Sequence, residues 1–270
     1  MTLSVVELGR PERAMMGLLQ PPDSSVPTRQ AAFILCRPLG VEAVRTSAMF
    51  RALSERLARE GCATLRFDYH GTGDSAGDER EQTMAAWVTD VLAAHDAVCR
   101  IVGHDNIHWF GAGLGGNLAL KAAIRARLSP RRLVLWEPVT DGGELEARLL
   151  EGHRDEVAFG RELTWQEVRR RELEPEPSLP GWVLGFDYGQ ALVDEMRQIR
   201  GLPLSQAARR GIAVYCAISD AERDRLDVPD GDPVMQIESL SDASNWMTSR
   251  VTGQPLVPPG ALRAVVSGLG

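Results

Sequence analysis

Along this chain, short continuous apolar runs alternate with stretches whose apolar residues recur at helical spacing. Ser4 to Leu8 and Ala14 to Gln20 flank a Gly-Arg-Pro turn and predict an N-terminal hairpin. Ala31 to Cys36 (AAFILC) is apolar throughout, as a strand covered on both faces must be. Met49, Phe50, Leu53 and Leu57 then share one side of a predicted helix. Ala63 to Tyr69 (ATLRFDY) is a fourth strand. Met84, Trp87, Val88, Val91, Leu92 and Val98 mark the next helix. Ile107 to Gly111 (IHWFG) runs directly into the helical LGGNLALKAAIRARL, and Arg132 to Pro138 (RLVLWEP) is a sixth strand. This rhythm predicts an α/β fold with a mostly parallel sheet of eight strands and helices on both faces.

The rhythm stops at Thr140 and resumes near Arg209. Between them the chain is charged and helical. Thr164-x-x-Glu167 predicts a capping box, EPEPSLPGW breaks the helical pattern, and a further helix is expected over 190–198. Strands return at Gly211 to Ile218 and Pro233 to Leu240, and a helix is expected after Pro259. The predicted organisation is therefore a core in two parts, 1–139 and 209–270, interrupted by a helical lid at 140–208.

Composition narrows the function. Of 270 residues, 44% are hydrophobic and 25% charged, which is ordinary for a globular chain. The formal net charge of −7 disfavours a nucleic-acid binder, which usually carries a basic face. No apolar run approaches the roughly 20 residues that span a bilayer, and the first residues lack the pattern of a signal peptide. Cys36, Cys62, Cys99 and Cys216 form no C-x-x-C pair, so buried reduced thiols in a cytoplasmic protein are expected.

Gly73-Asp74-Ser75-Ala76-Gly77 spells the G-x-S-x-G of a serine nucleophile. Its context does not match: Ser75 trails its strand by six residues, and GDERE follows it instead of an apolar helix. A structural role is expected. The surrounding RFDYHGTGDSAG resembles the segment after the fourth strand in α/β-hydrolases of the serine aminopeptidase type. RPLGVEAVRTSAMFRALSERLAREG and LWEPVTDG resemble a subgroup that includes exosortase-associated hydrolases. The resemblance covers roughly residues 33–142. It implies an α/β-hydrolase fold, a nucleophile on a tight strand-to-helix elbow, and a triad running Ser, Asp or Glu, His. FGAGLGGNLAL is the one strand–turn–helix succession that fits the elbow. Gly111 and Gly115 flank it, and the nucleophile position is Gly113. The histidine implied after the last strand is also not found there: the five histidines are His70, His95, His104, His108 and His153. Asn245 or Trp246 falls near that place.

Several groups remain at the expected site. The backbone N–H of Leu114, and one from Leu39 or Gly40 in the loop after the third strand, are candidate oxyanion donors; Pro38 in that loop has no N–H. Glu42 and Arg45 follow on the same sheet edge. His70 is a candidate for proton transfer or a loop histidine bonded to backbone. Glu137 ends the sixth strand. Asp220 stands near the acid position or caps a helix. Cys36 and Cys216 read as small core residues. His104 and His108 have i, i+4 spacing but straddle a strand start, so no metal site is expected, and no cofactor. The leading expectation is a triad-less hydrolase relative that binds an acyl or carboxylate-bearing small molecule in the ancestral cleft, as a pathway accessory pseudoenzyme. The alternatives are hydrolysis, acyl transfer or elimination by a non-standard site using His70, Glu137 or Asp220, and a structural subunit that binds a partner protein.

Overall fold

The computed structural model describes residues 3–126, 130–228, 234–240 and 258–267. Eight strands form one sheet: β1 (Ser4–Leu8), β2 (Met15–Gln20), β3 (Ala32–Cys36), β4 (Ala63–Phe67), β5 (Ile107–Ala112), β6 (Arg132–Trp136), β9 (Val214–Ser219) and β10 (Met235–Leu240). A separate hairpin pairs β7 (Gly181–Val183) with β8 (Phe186–Tyr188). The large sheet runs β1-β2-β4-β3-β5-β6-β9-β10. The pairings β1–β2 and β2–β4 are antiparallel, and the other five are parallel. This is the α/β-hydrolase fold.

Alternation along the buried strands sorts the core into two layers. Ala32, Ile34 and Cys36, with Ile107, Trp109, Leu133, Leu135, Val214 and Cys216, face one side. Phe33, Leu35, Phe110, Ala112, Val134, Trp136, Tyr215 and Ala217 face the other. α2 (Ser47–Arg59) and α10 (Pro259–Val266) cover the second layer through Met49, Phe50, Leu53, Leu57, Ala261 and Val265. α3 (Met84–Val102) and α4 (Leu114–Arg125) cover the first. α3 starts where the Thr83 hydroxyl accepts from the Ala86 N–H and stops at Gly103 in the left-handed region.

Between β6 and β9 lie α5 (Gly142–Gly160), α6 (Trp165–Arg170), the β7–β8 hairpin, α7 (Gln190–Arg197) and α8 (Leu204–Arg209). Both bonds of the Thr164–Glu167 capping box are made. Leu145, Leu149, Val183, Tyr188, Leu192, Val193, Met196 and Leu204 join the same apolar layer as α3 and α4. The insertion thus shares the core, while Phe159, Leu173 and Trp182 on it remain exposed.

The β1–β2 hairpin is fastened by a buried carboxylate. Asp90 on α3 is fully buried and accepts from Arg13 Nε and Nη2 (2.5 and 2.9 Å) and from the His70 N–H (3.1 Å).

Candidate functional site

β5 turns into α4 at Gly113, where φ is 52° and ψ −134°. L side chains are strained in that region and glycine is not. The turn is fixed by its neighbours: the Gly113 N–H donates to the Trp136 carbonyl (3.1 Å), and its own carbonyl accepts from Gly116 (3.0 Å). Small residues are required around it. A Cβ on Gly115 would lie 2.2 Å from the Arg37 carbonyl oxygen and 2.4 Å from that of Cys36. A Cβ on Gly111 would lie 2.7 Å from the Gly115 carbonyl oxygen. The loop after β3 therefore rests directly on the start of α4, next to Leu114, the first helical residue.

That loop, Arg37 to Leu39, leads into α1 (Gly40–Arg45), with Leu39 at the N-cap. Pro38 and Leu39 are buried. Gly40 has φ +56°, and a Cβ there would lie 2.2 Å from the Tyr188 hydroxyl. Tyr188 comes from β8 of the insertion and is 5% exposed; its hydroxyl has no hydrogen-bond partner among the described residues. Glu42, two residues on, is 7% exposed. Burial pushes its carboxyl up to about 7; Arg148 of α5 opposes the shift and the charge of Glu137 adds to it. Burial likewise raises the Tyr188 phenol, and Glu42 and then Glu79 add to the rise.

Glu137 directly follows β6. Its N–H donates to the Ala217 carbonyl (2.8 Å), and its φ of 45° is unusual for a non-glycine residue. Glu42 follows β3 and Glu137 follows β6, with β5 between them in the sheet. Their electrostatic coupling therefore crosses the end of β5, where Gly113 sits. The structure couples Glu42 to Glu137 and Tyr188 and sets Tyr188 against Gly40, at the sheet edge that also carries the elbow. Tyr188 has no signal in the sequence, because only the folding of the insertion carries it under Gly40.

The other candidates lie elsewhere. Arg45 bonds Glu156 (2.6 Å) and ties α1 to α5. His70 Nδ1 lies 3.2 Å from the Ala14 carbonyl oxygen, and its Nε2 would be 2.4 Å from a Cβ on Gly77. Its ring thus belongs to the β2–β4 side of the sheet, beyond β3 from the elbow. Asp220 is exposed as the first residue of α9 (Asp220–Arg223), and the helix N-cap is Ser219 rather than Asp220. The carboxylate held at this edge is Glu222, which accepts from the hydroxyls of Thr140 (2.9 Å) and Ser219 (3.0 Å). Asn245 and Trp246 lie outside the described residues.

Ser75 is occupied in the backbone. Its hydroxyl donates to the Asp68 carbonyl (2.7 Å) and accepts from the Met16 N–H (2.9 Å), tying the β4 loop to β2. Cys36 and Cys216 are buried; burial raises both thiols, Cys216 to about 12, so neither supplies thiolate at neutral pH. His108 stacks on Phe33 within the second layer. No helix among the described residues is long and apolar enough to cross a membrane.

Fold and elbow together define the class: the chain has the fold of the α/β-hydrolases. Residues 43–158 match the model of the serine aminopeptidase S33 family. The mitochondrial palmitoyl-protein thioesterase ABHD10 of Homo sapiens is 40% identical over 73 residues, which cover 27% of this chain and 22% of that protein. A serine hydrolase without a lid from Xanthomonas campestris has a TM-score of 0.56 at 16% identity, over 98% of this chain and 94% of that one. Proline iminopeptidase of Mycobacterium smegmatis has a TM-score of 0.59 at 15% identity, over 98% and 97%.

Proposed function

We propose that this protein is a divergent hydrolase relative that binds an acyl or carboxylate-bearing small molecule at the elbow without a Ser-Asp-His triad, as an accessory to a pathway enzyme. The observation that carries this reading is the elbow itself. Its tight turn, the first N–H of α4 and the adjoining β3 loop are all present, while the position that would bear the nucleophile is Gly113. Backbone donors at a helix start accept a carbonyl or carboxylate oxygen whether or not a nucleophile stands beside them. The insertion acts as a lid, with Tyr188 closing over Gly40.

A second reading is favoured by Glu42. A buried carboxyl titrating near 7 beside Glu137 is suited to moving a proton at neutral pH, from or to an activated water. The full chain would then be a slow hydrolase or acyl-transfer enzyme of non-standard type, related in chemistry to the thioesterase it partly matches.

One experiment separates these. Treated with a fluorophosphonate probe, the protein stays unlabelled; a labelled serine would overturn the triad-less reading. With p-nitrophenyl octanoate, the Leu114 amide resonance shifts on binding and nitrophenolate is not released. Release that disappears in Glu42→Gln would establish the second reading, and no shift at Leu114 would overturn the first.

A further inference from the structure

Away from the elbow, one cation is without an obvious purpose. Arg66 lies on β4, inside the sheet, paired across to Leu18 on β2 and Leu35 on β3. Its guanidinium makes no hydrogen bond or ion pair among the described residues, and its Nε is buried. Arg37, after β3, lies near it. Arg37 reaches Asp68 and the Ala43 carbonyl (2.9 Å) through its terminal nitrogens, but its Nε too is buried and unpartnered. Both side chains line one cavity of about 350 Å³ between the β1–β2 hairpin, β4 and the start of α2. The rest of its wall is Val5, Met16, Gly17, Leu18, Phe50 and Phe67, with Ser47, Asp68 and Asp74 beside them.

This cavity is unlike a structural flaw in three respects. Two arginine side chains line it closely enough for their charges to interact, and the Arg66 guanidinium makes no hydrogen bond or ion pair among the described residues, so an incoming anion would meet an uncommitted cation. Burial and the neighbouring Arg37 both lower the Arg66 pKa, and a bound anion relieves both effects. The walls are mostly apolar, and the volume is at the small end of the roughly 300–1,000 Å³ of ligand pockets. Asp68 is already neutralised by Arg37. Asp74 is exposed, and its N–H donates to Asp68 (3.2 Å). These two carboxylates count against a doubly charged phosphate and leave room for a single negative charge.

We propose that this cavity is a binding site for a small apolar monocarboxylic acid, with its carboxylate on the terminal nitrogens of Arg66 and its hydrocarbon body against Phe50, Met16 and Leu18. The site is separate from the elbow and does not depend on the function proposed there. It would let the protein sense or store a free acid.

The test is titration of the full chain with octanoate, followed by calorimetry and by the Arg66 Nε–Hε resonance. The expected result is saturable binding that shifts this resonance, with the Leu114 amide reporting any second, independent site at the elbow. Arg66→Met should weaken it at least about tenfold, the loss of one charge-assisted hydrogen bond. Octanol, which has the same length and no charge, should bind at least about tenfold more weakly. If Arg66→Met is poorly folded by circular dichroism, Val5→Trp at the exposed mouth of the cavity provides the same reading by obstruction. Equal binding by wild type and both variants would overturn the proposal. So would equal binding of octanol, tighter binding of inorganic phosphate, or a shift at Leu114 alone, which would place the acid at the elbow instead.

Discussion

Two glycine-rich turns at the same edge of the sheet carry opposite lessons. The loop after β4 contains G-x-S-x-G in letters, and its serine is fully engaged with Asp68 and Met16. The turn after β5 lacks the serine, yet has the left-handed apex, the close-packed glycines and the helix start that the motif exists to build. Letters can recur in any loop. The geometry needs a strand, a helix and a neighbouring loop to converge on the same few ångströms, so it identifies the site more reliably.

The comparison can be broken at several points. The largest effect is expected from Gly115→Ala. Its Cβ would overlap two backbone carbonyl oxygens that have no freedom to retreat, so a loss above about 4 kcal/mol is expected, read as a collapsed denaturation midpoint. Next is Asp90→Ala, which leaves the half-buried Arg13 guanidinium without its carboxylate, bonded to Gln82, and removes the acceptor of the His70 N–H. A loss of about 3–5 kcal/mol in urea titration is expected.

Glu42→Gln should act in the opposite direction, depending on pH. Below the ordinary value of 4.5 the carboxyl is protonated folded or unfolded. Between there and about 7 only the unfolded chain ionises, so stability falls as pH rises and the loss is complete above about 7. The variant should flatten that slope and gain up to roughly 3 kcal/mol at pH 8. A parallel shift at every pH would show that Glu42 is not buried as a neutral acid. The smallest effect is expected from Ser75→Ala, about 1–2 kcal/mol from leaving Met16 N–H and Asp68 carbonyl unpaired, with ligand binding at Leu114 unchanged. A loss of binding there would return Ser75 to the site.

Much of the sheet was legible because buried parallel strands must be apolar throughout. Ala31 to Cys36 against the observed Ala32–Cys36, and Ile107 to Gly111 against Ile107–Ala112, differ by one residue at an end. The seventh predicted strand began three residues early, at Gly211, where the backbone is in the left-handed region and still turning out of α8. The β7–β8 hairpin was not foreseen, since three-residue strands leave no periodicity and Pro180 lies beside them. The candidate site was half legible. Position after a strand located Glu42, Glu137 and the elbow, because the chain direction of a parallel sheet puts all those ends on one edge. It could not show that Tyr188, some 150 residues beyond Gly40, comes to rest on it, nor that Arg66 would face a cavity, because both depend on tertiary packing.

Gly113 has a further meaning for how this protein can change. At its φ and ψ a side chain is strained by about 1–3 kcal/mol, and glycine carries none of that. The turn therefore rests in its shape without a load. A nucleophilic side chain placed at this position would first lower the stability of the fold, and would yield reactivity only with a base beside it. The glycine thus acts as a ratchet: the architecture of the elbow persists at no conformational cost, while every side chain introduced at its apex begins uphill.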